Sequence, residues 1–232
     1  GIVGHQGNHA QGNYFYKLKP RAVDRFENEL QLLAKLTDRR KSGDPMSSFA
    51  PDFHGMVELD GQQYFKMQHL LQQFEEAHVM DIKMGVRCHT ESEMKNTKLR
   101  VDLFERLVRM QPSELTPEEM EKGAITKARW MTLRDQLSST KTLGFRVDAL
   151  YTTSVHKTAF DSELYRVRGD DEVMGVLRSF LPRAELCVDC SPRQIAAAVL
   201  KRLEGLECGL QNSSLFAKHE FIGSTLLFVS DK

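Results

Sequence analysis

Asp60-Gly61 stands between His54-Gly55-Met56-Val57-Glu58-Leu59 and Gln62-Gln63-Tyr64-Phe65-Lys66-Met67. Asp-Gly between two such runs signals a two-residue hairpin, because both turn residues take positive φ and few residue pairs accept that. The chain is thereby committed to an antiparallel sheet. Upstream, Gly4, Gly7 and Gly12 are interspersed with His5, Gln6, Asn8 and Asn13 and lead into Tyr14-Phe15-Tyr16-Lys17. This reads as strand, glycine-rich turn, strand. Such a loop can bring backbone N–H groups to phosphates, and it is also what an ordinary hairpin looks like. A helix is expected after Pro20, where Phe26, Leu30, Leu33 and Ala34 recur at i, i+4, i+7 and i+8. Glu27 and Glu29 flank that apolar face. A helix glutamate can pair with a strand lysine in kinase-like lobes, but a solvated charge is the simpler reading of either one. Together these elements predict a small lobe ending near residue 70, with 39–48 as a loop.

The next strand carries chemistry. In Val79-Met80-Asp81-Ile82-Lys83-Met84-Gly85-Val86-Arg87 an acid and a lysine lie two residues apart in an apolar run. Side chains alternate along a strand, so Asp81 and Lys83 share a face with Val79, and Met80, Ile82 and Met84 face a core. An Asp beside a Lys suits phosphoryl transfer, one group serving a hydroxyl or metal and the other neutralising phosphate. A surface ion pair reads the same on this spacing.

Composition narrows the classes. Lys plus Arg equals Asp plus Glu at 32 each, which argues against a bulk nucleic-acid binder while leaving room for a local basic pocket. The 232 residues suit one large domain or two small lobes. No apolar run approaches a membrane span and no signal peptide is visible. The opening Gly-Ile-Val-Gly lacks Met, which points to a piece of a longer protein. The four cysteines are Cys88, Cys187, Cys190 and Cys208. Cys187 and Cys190 form a lone C-x-x-C without the second pair a zinc site needs, so free thiols in a reducing compartment are expected.

Residues 86–137 read as helical. Thr116-Pro117-Glu118-Glu119 is a capping box with Pro at the first helical position, Gly123 closes that helix, and Thr126 caps the next, Lys127 to Leu137. There Lys127, Trp130 and Arg134 share a face. They suit a polyanion contact at a helix start, or an amphipathic helix with a core Trp and solvated charges. Leu143, Phe145, Val147 and Ala149 alternate with Gly144, Arg146 and Asp148 as a half-buried strand. A polar connector covers 152–171. Two helices follow: one with Val173, Val176, Leu177 and Phe180 before Pro182, the other opened by Ser191-Pro192-Arg193-Gln194 and ended by Gly205. Phe221 to Lys232 is an apolar closing strand.

Asp81-x-Lys83-x-Gly85 resembles the signature of the inositol polyphosphate kinases, and Met84-Gly85-Val86-Arg87 resembles the version in inositol-trisphosphate 3-kinases. Gly4-His5-Gln6-Gly7, Lys127-Ala128-Arg129-Trp130-Met131, Ser138-Ser139-Thr140, Thr142-Leu143-Gly144-Phe145-Arg146 and Gly223-Ser224-Thr225-Leu226-Leu227-Phe228-Val229 extend the likeness over nearly the whole chain. The resemblance implies an α+β, two-lobed kinase-like fold. Residues 1–70 would form the ATP-binding lobe. Residues 71–232 would form a larger mixed lobe with a helical inositol-phosphate-binding insert at about 90–137. It implies ATP and Mg2+ as cofactors, and phosphorylation of inositol 1,4,5-trisphosphate at the 3-hydroxyl to inositol 1,3,4,5-tetrakisphosphate, in the cytoplasm and in calcium signalling. A broader inositol polyphosphate substrate is a weaker reading, since the insert holding Lys127 is specific to the trisphosphate kinases.

By position, the resemblance assigns Asp81 and Lys83 to catalysis, and Gly4, Gly7, Asn8, Lys17, Gln68, His69, Leu70 and Asp81 to ATP. Lys83, Arg100, Lys127, Trp130 and Arg134 fall to the inositol phosphate, and Ser224 to the metal. Four positions depart from the family pattern: Ala77 replaces a Pro, His69 an Asp, Trp130 a Tyr and Tyr151 a substrate Lys. The family continues past the closing strand into an Ile-Asp-Phe-Gly-Lys-Thr-like segment whose Asp binds metal. This chain stops before it, so a second expectation is a truncated module that binds inositol phosphate or a protein with weak turnover. Calmodulin would bind through a segment outside this chain.

Overall fold

The computed structural model describes residues 7–152, 156–158, 163–182 and 190–231. In chain order the strands are β1 (His9–Gln11), β2 (Tyr14–Leu18), β3 (Phe53–Leu59), β4 (Gln62–Gln68), β5 (His78–Met84), β6 (Leu99–Arg100), β7 (Ile125–Thr126), β8 (Phe145–Tyr151), β9 (His156–Thr158) and β10 (Thr225–Ser230). The helices are α1 (Val23–Lys41), α2 (Glu91–Lys95), α3 (Val101–Met110), α4 (Pro117–Lys122), α5 (Lys127–Leu137), α6 (Thr140–Leu143), α7 (Asp170–Phe180) and α8 (Pro192–Asn212). None of the described helices is long and apolar enough to cross a membrane. The chain forms two compact units, Gly1–Glu75 with Arg193–Glu220, and Glu76–Pro192 with Phe221–Lys232.

In the first unit an antiparallel sheet runs β1-β2-β4-β3. The β3–β4 turn is the expected one, with Asp60 at φ 50° and Gly61 at φ 72°. One sheet face is covered by α1: the fully buried Phe65 ring lies 5.7 Å from Phe26 and 6.1 Å from Phe53. The expected loop at 39–48 is shorter, because α1 continues to Lys41 and a 3-10 turn occupies Pro45–Phe49. Asp44 caps that turn by accepting from the Met46 N–H at 3.0 Å.

The helix expected to end at Gly205 runs on to Asn212. Gly205 and Gly209 are packing positions: a Cβ on either would lie 3.5 Å from the Phe49 ring, and one on Gly209 also 3.4 Å from the Pro45 carbonyl oxygen. The missing side chains let α8 approach the 3-10 turn closely, a long-range reason that a local reading of glycine as a helix stop does not contain. Residues 193–220 thus group with Gly1–Glu75 in the first unit.

In the second unit the antiparallel order is β10-β5-β8-β9, with β6–β7 as a separate pair. The closing strand therefore lies directly beside the Asp81 strand, Leu227 opposite Asp81 and Thr225 opposite Lys83. One face of β5 carries buried Met80 and Ile82 as expected, and α7 meets this sheet, the Phe180 carbonyl 2.9 Å from His78 Nδ1 of β5 and the Phe180 ring 6.4 Å from Phe228 of β10. Within 90–137, Leu103, Leu107, Met110, Ile125, Trp130, Met131 and Leu133 make one buried cluster together with Cys88. The Thr116–Glu119 capping box forms, Gly123 ends α4, and Thr126 caps α5 by accepting from the Arg129 N–H at 3.1 Å.

The expected alternation of 143–149 does not hold. Leu143 ends α6, Gly144 follows in the left-handed region, and the strand starts at Phe145. Arg146, expected to face solvent, is 4% exposed. The polar connector at 152–171 contains β9 and a 3-10 turn, Glu163–Arg166.

Candidate active site

The register of β5 and β8 contains one irregularity, and it lies between Asp81 and Ile82. Lys83 faces Arg146 and Ile82 faces Val147, so regular pairing would set Asp148 opposite Asp81. Instead Asp81 faces Ala149, and Asp148 is the extra residue of a β-bulge. Like charges directly opposite each other on a sheet are destabilising, and a bulge re-aims a side chain without breaking the strand. The two carboxylates are separated by this device.

Asp81 is 7% exposed, and its Oδ1 is buried with no hydrogen-bond partner among the described residues. An unmade acceptor in a buried carboxylate is costly, so this oxygen is available to a hydroxyl or a cation. Lys83 donates to the hydroxyl of Thr225 across the β5–β10 pair. Ser224 lies just before β10, its carbonyl accepting from the Met84 N–H at 3.0 Å. That places it three residues along β5 from Asp81, about 10 Å at the usual strand rise.

Asp148 joins two guanidinium groups. Its Oδ1 accepts from Arg134 Nη2 at 2.8 Å and from Arg146 Nε at 2.9 Å. Burial alone would raise the Asp148 carboxyl, but the charges of Arg134, Arg146 and Lys83 outweigh it and hold the carboxyl below the ordinary aspartate range. Burial pulls the Arg134 guanidinium down from its usual value, with Asp148 opposing the shift. Arg146 continues inward, donating from Nη1 to Asp135 Oδ1, Thr140 Oγ1 and Cys88 Sγ, each at 3.1 Å.

On α5, Lys127 pairs with Glu93, whose other oxygen accepts from the Thr90 N–H at 3.1 Å in the α2 capping box. Trp130 is 4% exposed and packs in the core cluster with Leu103, Leu107 and Leu133, so of the two readings of this helix face its ring follows the packing one. Arg100 is exposed and holds Asp102 with two hydrogen bonds of 2.7 Å. The β6–β7 pairing sets Leu99 opposite Thr126, which brings Arg100 near the start of α5.

In the first unit, Gly4 lies outside the described residues. Gly7 has φ 90° and approaches Leu18 so closely that a Cβ would lie 2.9 Å from Leu18 Cδ2. Asn8 Oδ1 accepts from the Leu18 N–H at 2.8 Å. Lys17 on β2 pairs with Glu29 on α1, which corrects the reading of that glutamate as a solvated charge. Gln68 donates its N–H to the Asp52 carbonyl at 2.8 Å. His69 donates its N–H to the Asn13 carbonyl at 3.0 Å, and half-buried Leu70 follows.

Asp148, Arg146, Thr225 and Glu93 were not singled out from sequence. Asp148 and Arg146 read there as the wet face of a strand, and only tertiary packing buries Arg146 and half-buries Asp148. Of the three thiols described, Cys88 is buried and Cys190 and Cys208 are exposed, and all three are free. Cys187 lies outside the described residues. No group of three or more His, Cys, Asp and Glu among the described residues is placed to hold a metal ion. Mg2+ commonly takes one or two carboxylates and completes its shell with waters and substrate phosphates. Asp81, with its unpartnered oxygen, fits a Mg2+ that arrives on a polyphosphate; an all-protein cage does not fit.

Two antiparallel sheets, one carrying a strand lysine tied to a helix glutamate and the other a buried Asp two residues from a Lys, define a kinase-like α+β fold. A family model for inositol polyphosphate kinase matches residues 64–232, and the chain belongs to that family. It is 37% identical over 242 residues to inositol-trisphosphate 3-kinase C of Mus musculus, covering 99% of this chain and 32% of that protein. It is 34% identical over 196 residues to inositol-trisphosphate 3-kinase A of Homo sapiens, covering 83% and 40%. The chain thus spans about a third to two fifths of the length of these relatives. Among solved structures, an inositol phosphate multikinase of S. cerevisiae in complex with ADP and Mn2+ aligns with a TM-score of 0.56 at 19% identity, over 95% of this chain and 75% of that one. A second inositol phosphate multikinase structure aligns with a TM-score of 0.52 at 17% identity, over 88% and 79%. These last two likenesses speak to the fold alone.

Proposed function

We propose that this chain is the kinase core of an inositol-trisphosphate 3-kinase, transferring phosphate from ATP to the 3-hydroxyl of inositol 1,4,5-trisphosphate. The observation that carries the reading is the buried, unpartnered Oδ1 of Asp81, two residues from Lys83 on one face of β5. Phosphoryl transfer asks a protein chiefly for positioning and charge neutralisation. Asp81 accepts the proton of the attacking hydroxyl or ligates Mg2+, and Lys83 offsets charge on the transferring phosphate. When bound, Mg2+ supplies further neutralisation of the polyphosphate.

Lys127, Arg134 and Arg100 receive the phosphates of the inositol ring, with Glu93 and Asp102 released in exchange. Lys17, Gly7 and Asn8 take the nucleotide phosphates, Gln68, His69 and Leu70 the base, and Ser224 a phosphate or its metal. The 34–37% identity to inositol-trisphosphate 3-kinases supports the trisphosphate as substrate.

The test is turnover of ATP with inositol 1,4,5-trisphosphate by the full-length protein, with the product isomer assigned by NMR. The 1,3,4,5-tetrakisphosphate is expected. Phosphate delivered to another hydroxyl, or equal rates on several inositol polyphosphates, would overturn the assignment. Binding without turnover would make the chain an inositol-phosphate-binding module.

A further inference from the structure

We infer that Asp148 is a positioning residue that holds the Arg134 guanidinium in place for the inositol phosphate, an inference that rests on the substrate reading above. Three observations converge on it. The β5–β8 bulge leaves Asp148 without a partner on β5, displaced from its regular place opposite Asp81. Its Oδ1 accepts from Arg134 on α5 and from Arg146 of its own strand. Arg146 is in turn fixed by Asp135 and Thr140, so the anchor is itself anchored. Arginine offers five donors in a rigid fork. One edge held by a half-buried carboxylate sets the direction of the others, and a phosphate contact gains when its donor is ordered beforehand. Asp148 touches neither reacting atoms nor substrate in this scheme; it acts through Arg134.

Asp148→Asn keeps the shape and removes the charge that holds Arg134. In the full-length protein the variant is expected to bind inositol 1,4,5-trisphosphate about tenfold more weakly by calorimetry, about one lost charge-assisted contact. ATP affinity should stay within about twofold, and Asp148→Glu should recover most of the loss. Parallel loss of both ligands, or no recovery by Glu, would make Asp148 merely structural and overturn the inference. So would unchanged trisphosphate affinity in a folded Asn variant.

Wild-type binding is read first: a wild type that does not bind the trisphosphate sinks the substrate reading rather than this one. Because breaking a buried pair can unfold a protein, a second measurement needs no variant. NMR of the Arg134 side chain in the free wild type should show hindered rotation about Nε–Cζ. Free rotation there would overturn the positioning role.

Discussion

Glu29 on α1 accepts from the ammonium of Lys17 on β2, tying a strand of the first sheet to the helix that covers it. Both side chains are about a quarter exposed, so as a bare ion pair the contact contributes no more than about 1 kcal/mol. Its consequence is direction: a lysine held at its tip presents its charge in one place.

Glu29→Gln should therefore leave the melting temperature almost unchanged and raise KM for ATP about three- to tenfold, a fraction of one charge-assisted phosphate contact. KM for the inositol phosphate should not move. Initial rates with each substrate varied in turn check this. A large loss of thermal stability with normal ATP kinetics would place the pair in the scaffold instead.

Asp81→Asn should lower kcat by at least about a hundredfold, the low end of what a placed acid–base group supplies. The fold should be as stable as the wild type or more so, because the variant removes a buried charge whose Oδ1 has no partner. Rates and thermal melts on the same preparation decide it. A fall in Tm of more than about 4 °C, some 1 kcal/mol or more for a chain of this size, would mean that the carboxylate supports the fold.

On α5 the prediction separates two neighbours. Lys127→Ala should raise KM for the inositol phosphate about tenfold or more with ATP binding intact, as expected for a lost phosphate contact. Trp130→Ala should instead cost about 3–5 kcal/mol of stability, the usual result of emptying a large core position. Urea unfolding and steady-state kinetics on both variants test the division. A stable Trp130→Ala protein with a raised KM would return that ring to the binding site.

Acid should weaken the second unit in part through Asp148. Its carboxyl is held below the ordinary aspartate value of 3.8 by Arg134, Arg146 and Lys83 acting against burial. A group lowered in the folded state stabilises fully above its unfolded pKa and loses that contribution as pH falls through the folded value. Stability should therefore decline below about pH 4. Asp148→Asn should be less stable than wild type at pH 6 and lose less between pH 5 and pH 3. Equal acid slopes in urea melts at the two pH values would contradict this.

Local signals were legible where the physics is local. Asp60-Gly61 announces its turn because two positive-φ residues leave few alternatives. Thr116 and Thr126 announce helix starts because each hydroxyl satisfies an N–H within three residues. The spacing of Asp81 and Lys83 places both on one face whatever surrounds them. Trp130 on α5 was legible only as an open choice, since periodicity marks a face without saying what covers it.

By itself, then, the order of residues determined the hairpin, the caps, the apolar face of α1 and the shared face of Asp81 and Lys83, because backbone torsion and side-chain alternation act over a few residues. Tertiary structure alone decided the rest. Gly205 and Gly209 sit inside a helix, not at its end, because Phe49 and the Pro45 carbonyl lie against them. Glu29 rather than Glu27 meets Lys17. Arg146, a polar residue on a strand, is buried and Asp148 beside it half-buried, because Arg134 and Asp135 arrive from α5 with complementary charge. A charged group is tolerated away from water only when its partner is supplied, and here the partners come from a different element of the chain.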